Sequence, residues 1–204
     1  MLVLMPKLWS ETIETHRDAV RDSIVRAALE LVNKRGLLSA SMTDIAAAAG
    51  IGRATLYKYF PSVEAILDAW HNDQIDHHLQ MLKSIAVGTP SADRLGAVLE
   101  AYAQMIHATR HHHSVELAAL LHRDAKVGSA RRHLRDLLSR IVSADIAAGA
   151  VRSDLSASEI ADYCIAALAA AGELRSPVSV GPLVETILMG LRGARRPGAI
   201  RARR

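Results

Sequence analysis

Between Ser41 and Phe60 the sequence reads Ser-Met-Thr-Asp-Ile-Ala-Ala-Ala-Ala-Gly-Ile-Gly-Arg-Ala-Thr-Leu-Tyr-Lys-Tyr-Phe. Arg53, Thr55, Lys58 and Tyr59 are spaced to point outward from one short helix, with Leu56 anchored inward. Their donor groups suit phosphate oxygens and base edges in a major groove. A helix enters that groove only if its outer face is polar and its inner face is held rigidly. The chain's other conspicuous chemistry is its ten histidines. His77-His78 and His111-His112-His113 are local clusters, and His107 with His111 forms an i, i+4 pair if one helix carries both. No cysteine or tight carboxylate pattern completes a metal site around them, so neither a metal nor a cofactor is expected. No G-x-S-x-G, H-E-x-x-H, P-loop or dinucleotide glycine pattern is present, which argues against an enzyme.

The donor row needs two helices and a sharp turn to present it. Ser41, with Asp44 three residues on, opens a first short helix packed by Ile45 and alanines. Gly50 permits the turn, Ile51 plugs the corner, and Arg53–Tyr59 forms the second helix. The small residues Ala46–Ala49 allow the close backbone approach that steeply crossing helices require. Ahead of this pair, a helix over His16–Arg35 aligns Val20, Ile24, Ala27, Ala28, Leu31 and Val32 on one face. Thr15 and Asp18 give it a capping-box start, and Gly36 ends it. Behind the pair, Pro61 breaks the chain and Ser62 caps a long helix toward Val87. Further helices are expected from Ser91 to about Arg110, from Ser114 to His122, and from beyond Val127-Gly128-Ser129 to Ala148. Two more follow, Ala157 to about Glu173 behind a Ser156/Glu159 cap, and Pro182 to Leu191.

Composition agrees with a helical reading. Half of the 204 residues are hydrophobic, only seven are aromatic, and alanine and leucine dominate, so the fold class is all-α with about nine helices. The single cysteine, Cys164, excludes a disulfide framework and reads as a small buried residue. No apolar stretch is long enough to span a membrane, and Met1–Met5 lacks the pattern of a secretory signal, so a cytoplasmic protein is expected. Charge is unevenly placed. Residues 1–60 carry eight basic against six acidic side chains, residues 61–191 eleven against fifteen, and residues 192–204 six arginines and no acid. An acidic body between basic ends speaks against a uniform nucleic-acid coat. The arginine tail reads as a solvated end or as auxiliary phosphate attraction.

With Ala27-Ala28…Leu31…Gly36, then Thr43…Ile45-Ala46…Ala49-Gly50, then Thr55-Leu56-Tyr57…Tyr59-Phe60, the sequence resembles the TetR family of bacterial transcriptional regulators over about residues 17–70. The following Ser62-Val63-Glu64-Ala65-Ile66-Leu67 is similar to the start of that family's connecting helix. The resemblance implies an N-terminal three-helix helix-turn-helix domain followed by a C-terminal helical domain for ligand binding and dimerisation. The corresponding bounds are an arm over 1–16, the DNA-binding domain over 17–61, the second domain over 62–191 and a basic tail over 192–204. It further implies that Thr43 touches DNA and that Arg53, Ala54 and Thr55 are the base readers. Tyr57 and Tyr59 become phosphate contacts with Lys58 between them, and Ser62 caps a helix whose amides can hold a phosphate. Tyr57 has a bland alternative, core packing beside Phe60. Gly52 stands where the family often has serine, and Val63 where a lysine is common.

A head of about 45 residues is too small to supply tight specificity alone, so a homodimer on palindromic operator DNA is expected. The resemblance assigns the dimer face to the last two long helices, through Ile160, Cys164, Ala167, Leu168 and Ala171, then Val184, Ile187, Leu188 and Leu191. A small-molecule effector is expected among the helices after residue 62, in a mainly apolar pocket drawn from Trp70, His77, Met81, Tyr102, Met105, His107, Leu117 and Leu121. The expected activity is therefore repression relieved by that effector. A sequence-independent architectural DNA binder and a histidine-based metal-dependent enzyme are the alternatives.

Overall fold

The computed structural model describes residues 5–112 and 125–192, and every regular element among them is helical. The described residues hold eight α-helices: α1 Met5–Arg35, α2 Met42–Ala48, α3 Arg53–Tyr59, α4 Val63–Gly88, α5 Ser91–His112, α6 Ala125–Ala147, α7 Ala157–Leu168 and α8 Val180–Leu191. Short 3₁₀ turns cover Leu37–Ser39, Ala169–Glu173 and Pro177–Ser179. The all-α class holds; the short helix expected over 114–122 lies outside the described residues. The chain divides into two compact units, one through Gln74 and one from Ile75, with the division inside α4.

In the first unit, α1 buries Ile24, Ala27, Ala28 and Val32, the i, i+3, i+4, i+8 stripe of an amphipathic helix. These pack with Ile45 and Ala46 of α2, Leu56 of α3, Phe60, and Val63, Ile66 and Leu67 of α4. Gly36, at φ +80°, ends α1, and its N–H donates to the Val32 carbonyl at 2.8 Å. The start is not where Thr15 and Asp18 suggested. Helix α1 already begins at Met5 and runs through both residues, so most of the segment expected as an arm is helical.

The second unit has its own core. Leu82 of α4, Val98 and Leu99 of α5, Leu138 and Val142 of α6, Ile160, Cys164 and Leu168 of α7, and Val184 and Ile187 of α8 are all buried in it. Val127-Gly128-Ser129 does not separate elements: α6 runs unbroken through it. A single glycine in a helix costs about 1 kcal/mol, a penalty that a 23-residue helix with a buried stripe absorbs. Gly149 ends α6 at φ +75°, and the Ala150 N–H reaches back to the Asp145 carbonyl. The Ser156/Glu159 capping box forms as expected: Glu159 N–H donates to Ser156 Oγ at 3.3 Å, and Ser156 N–H to Glu159 Oε2 at 2.8 Å. Helix α7 stops at Leu168, and the remainder expected as helix to Glu173 tightens into a 3₁₀ turn.

Candidate nucleic-acid interface

The supporting helix α2 is pinned at both ends by local chemistry. At its start the Asp44 N–H donates to Ser41 Oγ at 3.2 Å, and the Ser41 hydroxyl donates to Asp44 Oδ2 at 2.7 Å. At its end Gly50 takes φ +70°, its N–H donates to the Ala47 carbonyl, and the Ile51 N–H donates to the Ala46 carbonyl at 3.0 Å. That paired bonding is a Schellman closure, which requires a left-handed residue where Gly50 stands. Ile51, half-buried, then packs against the first unit's core, as a corner plug should.

Helix α3 starts on Gly52, whose carbonyl accepts from Thr55 N–H at 2.9 Å and Leu56 N–H at 3.0 Å. No side chain caps this start. Leu56 is fully buried and Phe60 nearly so, which anchors the helix along one line. Arg53, Ala54, Thr55, Tyr57 and Lys58 are exposed on the other side, and Thr43 is exposed on α2. Neither Arg53 nor Lys58 joins an ion pair among the described residues, so two cations stand open beside the threonine and tyrosine hydroxyls.

Tyr57, which spacing left out of the outward row, is exposed, and Tyr59, which spacing put in it, is half-buried. Tyr57 is 48% exposed, so it is not core beside Phe60. Tyr59 is half-buried and packs against the first unit's core. Helical geometry explains this: at about 100° per residue, position 59 lies about 60° from the Leu56 line and position 57 about 100°. Tyr57 therefore belongs to the outward row on geometry as well as by resemblance.

Ser62 caps α4, accepting the Ala65 N–H at 3.2 Å. Beside it, the Glu64 carboxyl is held below its ordinary range by a bond from its own backbone N–H and by the Ser62 hydroxyl, against a small opposing effect of burial. An ionised carboxylate thus shares this helix start with the amides that a phosphate would use, which opposes a phosphate there. The missing lysine at Val63, which is buried, removes a further cation from the same turn.

Among the described residues, the expected effector residues fall in both units: Trp70 in the first, and His77, Met81, Tyr102, Met105 and His107 in the second. Trp70 packs half-buried in the first unit's core. His77 and Met81 are exposed on α4, one residue off the line that buries Leu82 and Ala86. Tyr102 and Met105 are half-buried against the second core, and burial pushes the Tyr102 hydroxyl above its usual range while Arg131 opposes the shift. His107 is buried, with Nδ1 at 3.1 Å from the Ala171 carbonyl oxygen. Leu117 and Leu121 lie outside the described residues. Among the described residues no three His, Cys, Asp or Glu side chains gather to hold a metal ion, and no helix is long and apolar enough to cross a membrane.

Seven of the nine expected dimer residues face inward. Ile160, Cys164, Leu168, Ala171, Val184, Ile187 and Leu191 are buried inside the second unit's own core, with Ala167 and Leu188 half-buried beside them. The most apolar stripe of a helix goes to the core that its own chain can offer first. What α7 and α8 leave outside is Tyr163, 49% exposed, and Met189, 62% exposed, with Ala166 and Gly190 between. Sequence reasoning passed over these because a lone tyrosine and methionine make no pattern.

Residues 24–70 match the family model described as bacterial regulatory proteins, tetR family. An uncharacterized HTH-type transcriptional regulator of Bacillus subtilis, YvdT, is 36% identical over 62 residues, 30% of this chain and 32% of that protein. The chain thus spans about a third of the length of that curated relative. Among solved structures, a transcriptional regulator of the TetR/AcrR family from Thermobifida fusca superposes with a TM-score of 0.68 at 22% identity, covering 85% of this chain and 98% of the other. The TetR transcriptional regulator SCO0520 from Streptomyces coelicolor is 27% identical with a TM-score of 0.56, over 84% of this chain and 98% of the other. The matched segment contains both short helices, the glycine turn between them and the buried Leu56 that orients the exposed donors. On this evidence residues 24–70 carry the helix-turn-helix segment of the TetR family of bacterial transcriptional regulators.

Proposed function

We propose that the chain binds palindromic operator DNA as a homodimer, represses transcription by occupying a promoter, and is released by a small, mainly apolar effector. The observation that carries the DNA reading is the exposed row Arg53, Thr55, Tyr57 and Lys58 over a fully buried Leu56. Arg53, Ala54 and Thr55, at the open start of α3, are assigned to base edges; Tyr57 and Lys58 to phosphates; Thr43 to a supporting contact from α2. Tyr59 contributes its hydroxyl from a half-buried ring. The homodimer is assigned to the outer faces of α7 and α8, where Tyr163 and Met189 leave apolar surface in water. The bounds 17–61 and 62–191 remain the working division between reading head and effector half.

A mobility-shift titration with the DNA upstream of the chain's own gene, with and without random competitor, tests this. Saturable binding to a palindrome that survives competitor supports the regulator. Equal binding to any duplex favours an architectural binder, and no binding overturns the DNA reading altogether. Sedimentation of the free protein tests the dimer: a single subunit at micromolar concentration overturns that part.

A further inference from the structure

We propose that Arg21 is a positioning residue for the reading helix, and this rests on the DNA-binding reading above. Its guanidinium donates to Asp73 Oδ2 at 2.8 Å, and its Cζ lies 5.9 Å from the centroid of the Phe60 ring. Both distances are within reach of an ion pair and a cation–π contact. Arg21 belongs to α1, Phe60 is the C-cap of α3, and Asp73 belongs to α4. One side chain therefore ties three helices of the first unit that also share an apolar core.

The chemistry of those joints differs in what it fixes. Apolar contacts set the spacing between helices but tolerate small sliding, as in shear motions. A directional bond to a carboxylate fixes one helix along another, and a cation held over a ring fixes the ring. The Phe60 N–H also closes the last turn of α3 on the Leu56 carbonyl at 3.0 Å, so a shift of Phe60 moves the end of the reading helix with it. The Arg21 and Asp73 side chains are 34% and 54% exposed. A pair that open contributes little to folding, so its loss leaves the unit folded while releasing its register. Asp73 sits one residue before the first unit ends, on the helix that continues into the second.

The test uses the full-length chain and a duplex enriched from a random pool by the wild-type protein, with unselected duplex as reference. The readout is the ratio of the two affinities, alongside thermal melts. Asp73→Asn is the decisive variant because simple electrostatics and positioning give opposite signs. Removing an acid strengthens binding to every duplex if charge alone matters; with Arg21 as positioner, the ratio falls about fivefold while the melt is unchanged. Arg21→Met loses both contacts, and the ratio falls about tenfold. The charge-exchanged double variant R21D/D73R regains part of the loss. Wild-type ratios in both single variants overturn the proposal, as does equal weakening on both duplexes, which would make Arg21 a phosphate contact. A wild-type protein that enriches no sequence overturns the DNA reading itself.

Discussion

His107 on α5 and Ala171 in the turn after α7 are joined by a bond of 3.1 Å from Nδ1 to the carbonyl oxygen, within the second unit's core. Because a carbonyl only accepts, the imidazole presents an Nδ1–H there. The turn is 3₁₀, and within it the same carbonyl accepts only a long bond of 3.4 Å from the Leu174 N–H. His107→Leu keeps bulk but removes the shorter of two bonds to the Ala171 carbonyl, leaving it the Leu174 N–H at 3.4 Å, at a cost of about 1 kcal/mol. Urea unfolding of His107→Leu and His107→Gln checks this; Gln, which retains a donor, loses less. Equal losses would mean that packing matters there and the bond does not.

Gly50 is the turn residue whose replacement is most diagnostic. A Cβ there meets no atom within 4 Å, so space is not the constraint. The constraint is φ +70°, which costs an L residue about 1–2 kcal/mol, least for Asn. Gly50→Ala should lower unfolding stability by roughly that amount and Gly50→Asn by less. An unchanged midpoint for Gly50→Ala would show that the turn can be rebuilt without the Schellman closure.

How far the sequence spoke depended on whether each signal was local. Ser41 with Asp44, Gly50, Leu56 and the Ser156/Glu159 box are short-range chemistry, and the structure has each where the sequence predicts it. Tyr59 is half-buried because a helix face has a breadth: a residue three positions from a core anchor is drawn partly inward. Seven of the dimer residues lie inside for a longer-range reason. Spacing reveals that Ile160, Cys164 and Leu168 share an apolar stripe but not which partner covers it, and the chain's own core does. Gly128 was read as punctuation, but α6 tolerates it because Leu134 and Leu138 further along bury the helix. The effector site was least legible, since its candidates come from side chains far apart in sequence whose meeting no local pattern encodes.

Gly52 offers a gain of stability. Its φ −72° and ψ 147° suit any residue, and an added Cβ meets only Thr55 Oγ1 at 3.9 Å. The α3 start has no side-chain cap. Gly52→Ser supplies one and also restricts the unfolded chain, for a combined gain of about 0.5–1 kcal/mol. Thermal melting should rise by a few degrees; no rise would show that serine at this position does not reach the N–H groups of the first turn.

Cys164 gives a pH dependence with a definite sign. Burial pushes its thiol up to about 11, opposed by a bond from backbone. In the unfolded chain the thiol ionises near about 8.5. The folded state therefore retains a proton that the unfolded state loses, and this contribution, intact below about pH 8.5, disappears as pH rises toward 11. Cys164→Ala should flatten the stability curve between these values by on the order of 3 kcal/mol relative to wild type. Thiol-reagent labelling at pH 8 should proceed only at the rate of opening; rapid labelling of the native protein would contradict the burial.

Arg53 and Tyr57 separate reading from holding. Both are exposed on α3, and neither is part of the core, so Arg53→Ala and Tyr57→Phe should melt as wild type does. Their DNA effects should differ. An arginine bidentate to a guanine edge is worth about 1–3 kcal/mol of discrimination, so Arg53→Ala should lose affinity for the selected duplex well beyond its loss on random DNA. Phosphate contacts carry no sequence information, so removing the Tyr57 hydroxyl should weaken both duplexes alike and leave their ratio intact. Titrations of the two variants against both duplexes at one fixed salt concentration decide it. If Tyr57→Phe changes the ratio and Arg53→Ala does not, the tyrosine reads the bases, and the reading edge of α3 moves from its first turn to the middle of the helix.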